Sequence, residues 1–283
     1  MQDLDWNDLR FVLAAARESG FAAAARRLGV DETTVARRVA AAERAIGAAL
    51  FRRGPDGRRR PTEAGRAAAA EAARMEAAAE AAREAAGAAR LRVRVSATPI
   101  IANRLIAPAL ASLLAERPDL AVELAAEPRN VDLALGEADL ALRLARPATG
   151  GAAVKARRIG ALPYGVFEAK GRRGPEAWVD YGGPAADLPQ ARWRAEKRPD
   201  APVALRIADG ETALEAVAAG LGHAALPLAV ASRDARLSRV FAYGDPPSRE
   251  VWLLTSAVGP PNEAVRATSA TLRRLDWSGA SVD

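Results

Sequence analysis

The chain has 283 residues, half of them hydrophobic, which is enough for two or three compact domains. It has no cysteine and a single histidine, which excludes disulfides and thiolate chemistry and leaves little basis for a zinc site or a catalytic triad. We therefore expect no metal, no cofactor and no enzymatic activity. The N-terminus does not resemble a signal peptide, and no apolar run approaches the about 18 residues of a membrane span, so we expect a cytoplasmic protein without a membrane partner.

The net charge is +6, and its distribution along the chain is uneven. Residues 1–66 hold thirteen arginines against nine acidic residues, and the stretch 35–66 alone holds nine arginines against three acidic residues. A dense basic stretch of this kind is typical of a nucleic-acid-binding segment. A GC-rich genome, which favours arginine over lysine, is the alternative explanation if charge is considered alone.

Three helices are predicted before residue 47, and the third is the candidate DNA-reading element. The first covers residues 7–18 and the second residues 21–28, since apolar residues recur at helical spacing in both. Asp31 is a suitable N-cap for the third helix, whose predicted buried stripe comprises Val35, Val39, Ala42 and Ile46. Its opposite face carries Thr33, Thr34, Arg37 and Arg38. Arginine can donate two hydrogen bonds to one guanine, and threonine can contact a thymine methyl group or a phosphate. This face therefore suits a major groove.

Residues 50–61 are predicted to form a hairpin. Pro55-Asp56-Gly57 is a turn sequence between two arms rich in arginine. Arg53 and Arg58 on these arms suit contacts to phosphates or to a minor groove. A solvated, charged hairpin is the alternative, and only the position directly after the third helix favours a DNA-binding wing.

The run LRFVLAAARESGFAAAARRLGVDETTVARRVAAAERAIGAALFRR, closed by PTEAG at residues 61–65, resembles the DNA-binding domain of LysR-type transcriptional regulators. The resemblance implies a winged helix-turn-helix over residues 1–62 that binds double-stranded promoter DNA, with RNA polymerase as a possible further partner. It implies base contacts from the exposed face of the third helix and a backbone contact from Arg53. Ala22 and Ala36 stand where the family commonly carries hydroxyl residues, which predicts weaker binding or a shifted preferred site.

Residues 63–89 are predicted to form one linker helix. Fifteen of the 23 residues from 67 to 89 are alanine, the residue with the highest helix propensity, and Met75 is the only large apolar side chain. An isolated, solvated rod is one interpretation. The one we favour is a dimerisation helix, which in the resembled family pairs antiparallel with its twin and sets the distance between two DNA-binding heads. The assembly would then be a homodimer or a homotetramer.

Residues 90–283 alternate short strands with helices, which favours mostly parallel sheets covered by helices. The predicted strands cover residues 91–95, 121–124, 139–144, 203–207 and 251–255, and the predicted helices cover 101–116, 131–137, 211–219 and 261–275. Two α/β subdomains, about 90–160 with 256–283 and about 161–255, enclose a cleft. The predicted fold class is therefore α + α/β: a winged helix-turn-helix, a linker helix and a two-subdomain α/β domain.

The segments GEADLALR (136–143) and AVAAGLG (216–222) are similar to landmarks of the LysR-type effector domain, which has the periplasmic-binding-protein fold. Ligands in such folds lie at the carboxyl ends of strands and the starts of helices. The matching positions for a small-molecule effector are Ala97, Thr98, Pro99, Arg143, Arg146 and Asp209. Thr98 can donate to a carboxylate, and Arg143 can either pair with one or form a structural pair with Asp139 or Asp132.

These expectations describe a DNA-binding transcriptional regulator whose activity is modulated by a small molecule bound between two α/β subdomains. One alternative remains open from the sequence. The chain between Phe167 and Trp178 is shorter than is usual in the family. In the alternative that this shortening suggests, the C-terminal domain serves oligomerisation only and senses no metabolite.

Overall fold

A computed structural model describes residues 4–18, 20–87, 90–147, 154–257 and 262–279. Along the chain, a small helical head with a hairpin is followed by one long helix and then by an α/β domain built on two sheets. This order confirms the predicted fold class, α + α/β.

The head packs three helices and a hairpin around one apolar core. Val12, Val35 and Leu50 are completely buried at its centre. Glu43 accepts hydrogen bonds from the backbone N–H groups of Leu50 and Phe51, which fixes the hairpin to the third helix. The elements are α1 (Trp6–Arg17), α2 (Phe21–Leu28), α3 (Glu32–Ile46) and the antiparallel pair β1 (Phe51–Arg53) and β2 (Arg59–Pro61).

Two details of α3 differ from the prediction. Ile46, assigned to the buried stripe, is 39% exposed because it is the last helical residue and the chain turns away at Gly47. Asp31 does precede the helix, but its side chain accepts no hydrogen bond from the first turn within the described structure. The Asp31 backbone carbonyl accepts from the N–H groups of Thr34 and Val35, which are the first hydrogen bonds of the helix itself.

The linker helix α4 (Glu63–Ala85) begins in direct contact with the hairpin. Thr62 caps it, since its Oγ accepts from the N–H of Gly65 and also donates to the carbonyl of Ala49. A methyl group on Gly65 would lie 1.9 Å from the carbonyl oxygen of Leu50, so only glycine permits this approach. The helix ends at Ala85, earlier than predicted, and residues 88 and 89 of the predicted helix lie outside the described residues.

The first sheet of the α/β domain has five strands in the order β4-β3-β5-β12-β6. Strand β3 is parallel to β4 and β5, whereas β12 is antiparallel to β5 and β6. The mostly parallel pattern that we predicted therefore applies to two of the four strand pairings in this sheet. The strands are β3 (Leu91–Ala97), β4 (Leu120–Ala126), β5 (Leu140–Arg143), β6 (Val154–Leu162) and β12 (Arg249–Ser256).

Helices pack on the first sheet. A continuous helix, Pro99–Glu116, comprises α5 (Pro99–Ile101), a π-helical stretch (Ala102–Ile106) and α6 (Ala107–Glu116), and α10 (Glu263–Arg273) lies beside it. By length and composition alone, Pro99–Glu116 is apolar enough to cross a membrane. In the structure its Ile101, Ile106 and Leu110 are buried in the main hydrophobic core, as in the core helix of a globular domain.

The helix predicted over residues 131–137 is not formed, and the segment is a series of turns. Asp132 Oδ1 accepts hydrogen bonds from the N–H groups of Ala134 and Leu135, which takes the place of a helical start. Gly136 then adopts a left-handed conformation with φ of +63°. The Asp132 bonds are those of a helix N-cap, but Gly136 ends the segment in the left-handed conformation, and the three residues between the two are too few to form a helix.

The second sheet has β7 at the centre of an antiparallel group, β10-β7-β11, with the parallel pair β8-β9 beside it. A bridge from Trp178 to His223 joins the two groups. Strand β12 was predicted within the second subdomain but pairs in the first sheet, because it returns across the domain beside β6. The elements are β7 (Tyr164–Ala169), β8 (Trp178–Tyr181), α7 (Pro189–Lys197), β9 (Val203–Ile207), α8 (Gly210–Ala218), β10 (Ala224–Pro227), α9 (Leu228–Ala231) and β11 (Leu237–Val240).

Candidate DNA-binding and effector sites

The first two turns of α3 present the predicted DNA-facing side chains at the surface of the head. Thr33 and Arg37 are exposed and Thr34 is half-buried. Within the described residues, the guanidinium of Arg37 has no hydrogen-bond or ion-pair partner. Because the Asp31 carboxylate does not cap the helix, the N–H groups of Glu32 and Thr33 have no acceptor in the described structure and are free to meet an anion such as a phosphate.

Arg38 is oriented differently from its neighbour Arg37. Its guanidinium donates to Asp8 of α1 at 3.1 Å and lies over the ring of Phe11, with 5.9 Å from Cζ to the ring centroid. The Asp8 carboxylate is nearly buried, so this ion pair holds α3 against α1. Of the two arginines that the sequence placed on the DNA-facing side, only Arg37 is free.

The hairpin presents a separate basic surface. Arg53 and Arg58 are exposed on its two arms, as predicted for a wing, and Arg52 is a further exposed arginine that the sequence analysis did not single out. The two remaining wing arginines each contact another residue of the head. Arg59 lies over the ring of Phe21 at 4.8 Å, and Arg60 pairs with Asp56 at 2.8 Å.

A cleft of about 610 Å³ lies between the two sheets of the α/β domain. Its lining includes the ends of β3 and β5 and the starts of α5 and α8, which is where binding sites form in such folds. Five of the six predicted effector residues line it: Thr98, Pro99, Arg143, Arg146 and Asp209. Ala97 does not, because it is completely buried in β3 below the cleft.

Arg143 lines the cleft but is fully engaged by the protein. It donates to the carbonyls of Ser96, Leu142 and Arg129, to the Oγ of Ser96, and to Asn130 Oδ1, at distances of 2.9 to 3.3 Å. Burial lowers the pKa of its guanidinium. Arg143 therefore has a structural role, as one of the two interpretations predicted. Its partners are not Asp139 or Asp132, so the predicted partners were wrong.

The other charged side chains at the cleft are also occupied. Asp209 caps α8, since its carboxylate accepts from the N–H groups of Glu211 and Thr212. Arg146 lies over the ring of Trp252 at 5.7 Å, and Arg249 donates to the carbonyl of Leu144 at 3.0 Å. These contacts do not neutralise the guanidinium groups, so the cleft keeps a net positive charge, with three arginines and Asp209 as the charged residues of its described lining.

Two uncharged polar atoms in the cleft are buried without a partner. Thr98 Oγ and the Oε1 of Gln190 are buried and have no hydrogen-bond partner within the described structure. Tyr181 beside Gln190 and Tyr164 beside Arg249 are also buried, and burial raises the pKa of both phenols. Tyr164, Tyr181 and Gln190 were not predicted because no element was assigned between residues 144 and 203, and Arg249 lies two residues before the predicted strand 251–255.

The short segment between Phe167 and Trp178 lies away from the cleft. None of its described residues lines that cavity, and Arg172 within it donates instead to the carbonyls of Gly220 and Pro175. Among the described residues, no group of three or more His, Cys, Asp or Glu side chains is arranged to hold a metal ion.

Comparison with known protein families gives two matches that together span nearly the whole chain. Residues 6–66 match the bacterial regulatory helix-turn-helix protein, lysR family, and residues 86–276 match the LysR substrate binding domain. The Mau operon transcriptional activator of Paracoccus denitrificans is 35% identical over 256 residues, which are 89% of each sequence.

Solved structures share the fold across the full length. Full-length OxyR from Pseudomonas aeruginosa aligns with a TM-score of 0.65 at 20% identity, covering 98% of this chain and all of the other. ArgP from Mycobacterium tuberculosis aligns with a TM-score of 0.66 at 18% identity, covering 99% of both chains. LysG from Corynebacterium glutamicum, solved with its effector arginine bound, aligns with a TM-score of 0.59 at 18% identity, covering 95% of this chain and 96% of that one.

The head, the linker helix and the two-sheet domain thus follow the family order, with free basic side chains on the head and a cleft in the α/β domain. The chain belongs to the LysR family and is a LysR-type transcriptional regulator.

Proposed function

We propose that the regulator reads a specific DNA sequence through the first two turns of α3. Arg37, with Thr33 and Thr34 beside it, contacts base edges in the major groove, while Arg53 and Arg58 of the wing hold the backbone. The observation that carries this proposal is the unpaired guanidinium of Arg37 next to the uncapped start of α3. Arg38 has a different role, since it orients α3 through its ion pair with Asp8 and adds positive charge.

The cleft of the α/β domain is proposed to bind a small-molecule effector. Its size is in the range of ligand pockets, and most of its lining is apolar. The buried, unpaired oxygens of Thr98 and Gln190 would gain hydrogen bonds from a ligand, which is a favourable exchange for atoms already removed from water. We therefore infer an effector with a mainly apolar body and at least one hydrogen-bonding group.

The assembly is proposed to be a homodimer or homotetramer joined through α4. One face of α4, including Ala69 and Ala72, packs on the head, whereas Met75 is 43% exposed on another face. Small side chains allow a second helix to approach closely. The proposed domains are residues 1–62 for DNA binding, 63–89 for assembly and 90–283 for the effector, with β12 belonging to the first subdomain.

Its place in the cell follows from the family. We infer a cytoplasmic protein that has no catalytic activity and acts on transcription, with RNA polymerase as a further partner. The name of the Paracoccus denitrificans relative, a transcriptional activator, favours activation over repression.

The direct test is footprinting on the DNA upstream of the regulator's own gene, repeated across a panel of small molecules. The proposal predicts a protected site, and at least one compound that both changes the protection and raises the melting temperature of the protein. Protection that no compound changes, with no saturable binding by calorimetry, would instead favour the alternative in which the C-terminal domain serves oligomerisation only.

A further inference from the structure

Residues 128–137, which we name the bridge loop, connect β4 to β5 and extend from the effector cleft to the head. Pro128, Asn130, Val131 and Leu133 line the cleft. Leu135, a few residues later, is 6% exposed and belongs to the hydrophobic core of the head. One short segment therefore touches both the proposed ligand and the DNA-binding head.

The cleft end of the bridge loop is held by partly buried hydrogen bonds. Arg143 donates to the carbonyl of Arg129 at 2.9 Å and to Asn130 Oδ1 at 3.3 Å. Ser256 of β12 donates to the carbonyl of Leu133 at 3.0 Å. A ligand that displaces or tightens these contacts would act directly on the loop.

The middle of the bridge loop is braced by its own side chains. Asp132 Oδ1 accepts from the N–H groups of Ala134 and Leu135 at 2.9 and 3.2 Å. Glu137 accepts from the N–H of Asp132 at 3.0 Å and pairs with Arg129 at 2.7 Å. These bonds connect Arg129 near the cleft end to residues 132–137 toward the head end.

The head end of the bridge loop is held by one buried guanidinium. Arg17, the last residue of α1, donates to the carbonyl of Leu135 at 2.7 Å and pairs with Glu76 of α4 at 2.6 Å. The Arg17 side chain is 5% exposed, so these contacts are made away from water. The first helix of the head, the linker helix and the effector domain thus meet at a single side chain.

The same helix continues the connection to the DNA-facing surface. Asp8, on the other half of α1, holds Arg38 of α3. Beside the contact, a cavity of about 660 Å³ is lined largely by charged side chains of α1, α4 and the effector domain.

We propose that the bridge loop couples occupancy of the cleft to the orientation of the head, through Arg143 at one end and Arg17 at the other. This inference rests on the proposed effector function of the cleft. It requires that the two ends be energetically linked, so that loosening either end loosens the other by a similar factor.

Hydrogen–deuterium exchange on the full-length protein, without DNA or effector, tests this linkage. Arg143→Met removes the contacts at the cleft end, and Arg17→Met removes those at the head end. We expect Arg143→Met to accelerate amide exchange in α1 by at least about fivefold, and Arg17→Met to do the same for Asp132 and Ala134, whose N–H groups are hydrogen-bonded within the bridge loop, in line with common coupling energies. Asn130→Ala is a milder variant that keeps the measurement possible if Arg143→Met does not fold.

Arg249→Met is the matched control, since Arg249 also lines the cleft but donates to Leu144 outside the bridge loop. It should leave exchange in α1 unchanged. The proposal is overturned if the cleft-end variants accelerate exchange in the bridge loop but not in α1, or if the control has the same effect on α1. Exchange on the free protein does not depend on DNA or effector binding, so this outcome is distinguishable from a failure of the proposed function.

Discussion

The guanidinium of Arg38 donates to the carboxylate of Asp8 at 3.1 Å and thereby ties the third helix of the head to the first. The adjacent Arg37 points away from the head without a partner in the described structure. Two neighbouring arginines on one helix, which are alike in sequence, therefore have different roles. One fixes the position of the helix, and the other is available to DNA.

Replacing Arg38 should destabilise the head. Arg38→Ala leaves the nearly buried Asp8 carboxylate unpaired, and an unsatisfied buried polar group costs about 1–3 kcal/mol. Arg37→Ala, which removes an exposed and unpaired side chain, should change the free energy of unfolding by less than about 0.5 kcal/mol. Urea unfolding followed by circular dichroism compares the two, and equal losses would show that the Asp8 contact does not stabilise the head.

The junction of hairpin and linker helix should not tolerate a side chain at residue 65. Gly65→Ala places a methyl group 1.9 Å from the Leu50 carbonyl, so α4 must move away from the hairpin. We expect a loss of about 1–3 kcal/mol or more, as for overpacking in a core. Ala67→Gly is the control at an exposed position of α4 and should cost about 1 kcal/mol through helix propensity alone. A Gly65→Ala protein as stable as wild type would contradict the close approach.

The hydroxyl of Thr98 should matter for the effector and not for stability. Its Oγ is buried without a partner in the described structure, so Thr98→Val removes an unsatisfied group and should leave the melting temperature unchanged or slightly higher. The same variant should reduce the thermal shift caused by any compound that stabilises the wild type. If Thr98→Val alone lowers the melting temperature substantially, then the hydroxyl already has a partner in the ligand-free protein.

Two of the three tyrosines should resist ionisation while the protein is folded. Burial is the largest cause that raises the pKa of Tyr164, Tyr181 and Tyr243 above the ordinary value. A raised pKa favours the neutral phenol in the folded state, so this contribution to stability is complete below about pH 10 and is lost as the pH rises further. The absorbance of the Tyr164 and Tyr181 phenolates should therefore appear only at higher pH, together with loss of the circular dichroism signal. Tyr243 is half-buried and can ionise while the protein is folded. Ionisation of Tyr164 or Tyr181 near pH 10 in a protein with intact circular dichroism would contradict the burial.

The sequence predicted the head well because its determinants are local. Helical spacing, glycines at the helix ends and a Pro-Asp-Gly turn are each contained within a few residues, and α1, α2, α3 and the hairpin follow them. What it did not predict was which arginines are free. The Arg38–Asp8 pair joins residues 30 positions apart, and spacing along one helix says nothing about such a contact.

The effector domain was predicted less completely, since its pairings are long-range. Strand β12 lies in the first sheet although its position in the sequence suggests the second subdomain, and the helix predicted over 131–137 is displaced by turns around Asp132 and Gly136. The cleft-lining Tyr181 and Gln190 carry no local signal. Their role follows only from the packing of β8 and α7 against the rest of the domain.

The most direct test of the account is footprinting on the DNA upstream of the regulator's own gene, with wild type, Arg37→Ala and Arg44→Ala compared across a salt series. Arg44 is an exposed arginine near the end of the same helix, so its removal is a matched change of charge. Base reading by α3 predicts a protected, interrupted dyad that disappears with Arg37→Ala, persists with Arg44→Ala and weakens as salt rises. Uniform, salt-sensitive binding that both variants weaken equally would contradict sequence reading by the third helix. It would mean that the head binds DNA through its positive charge alone.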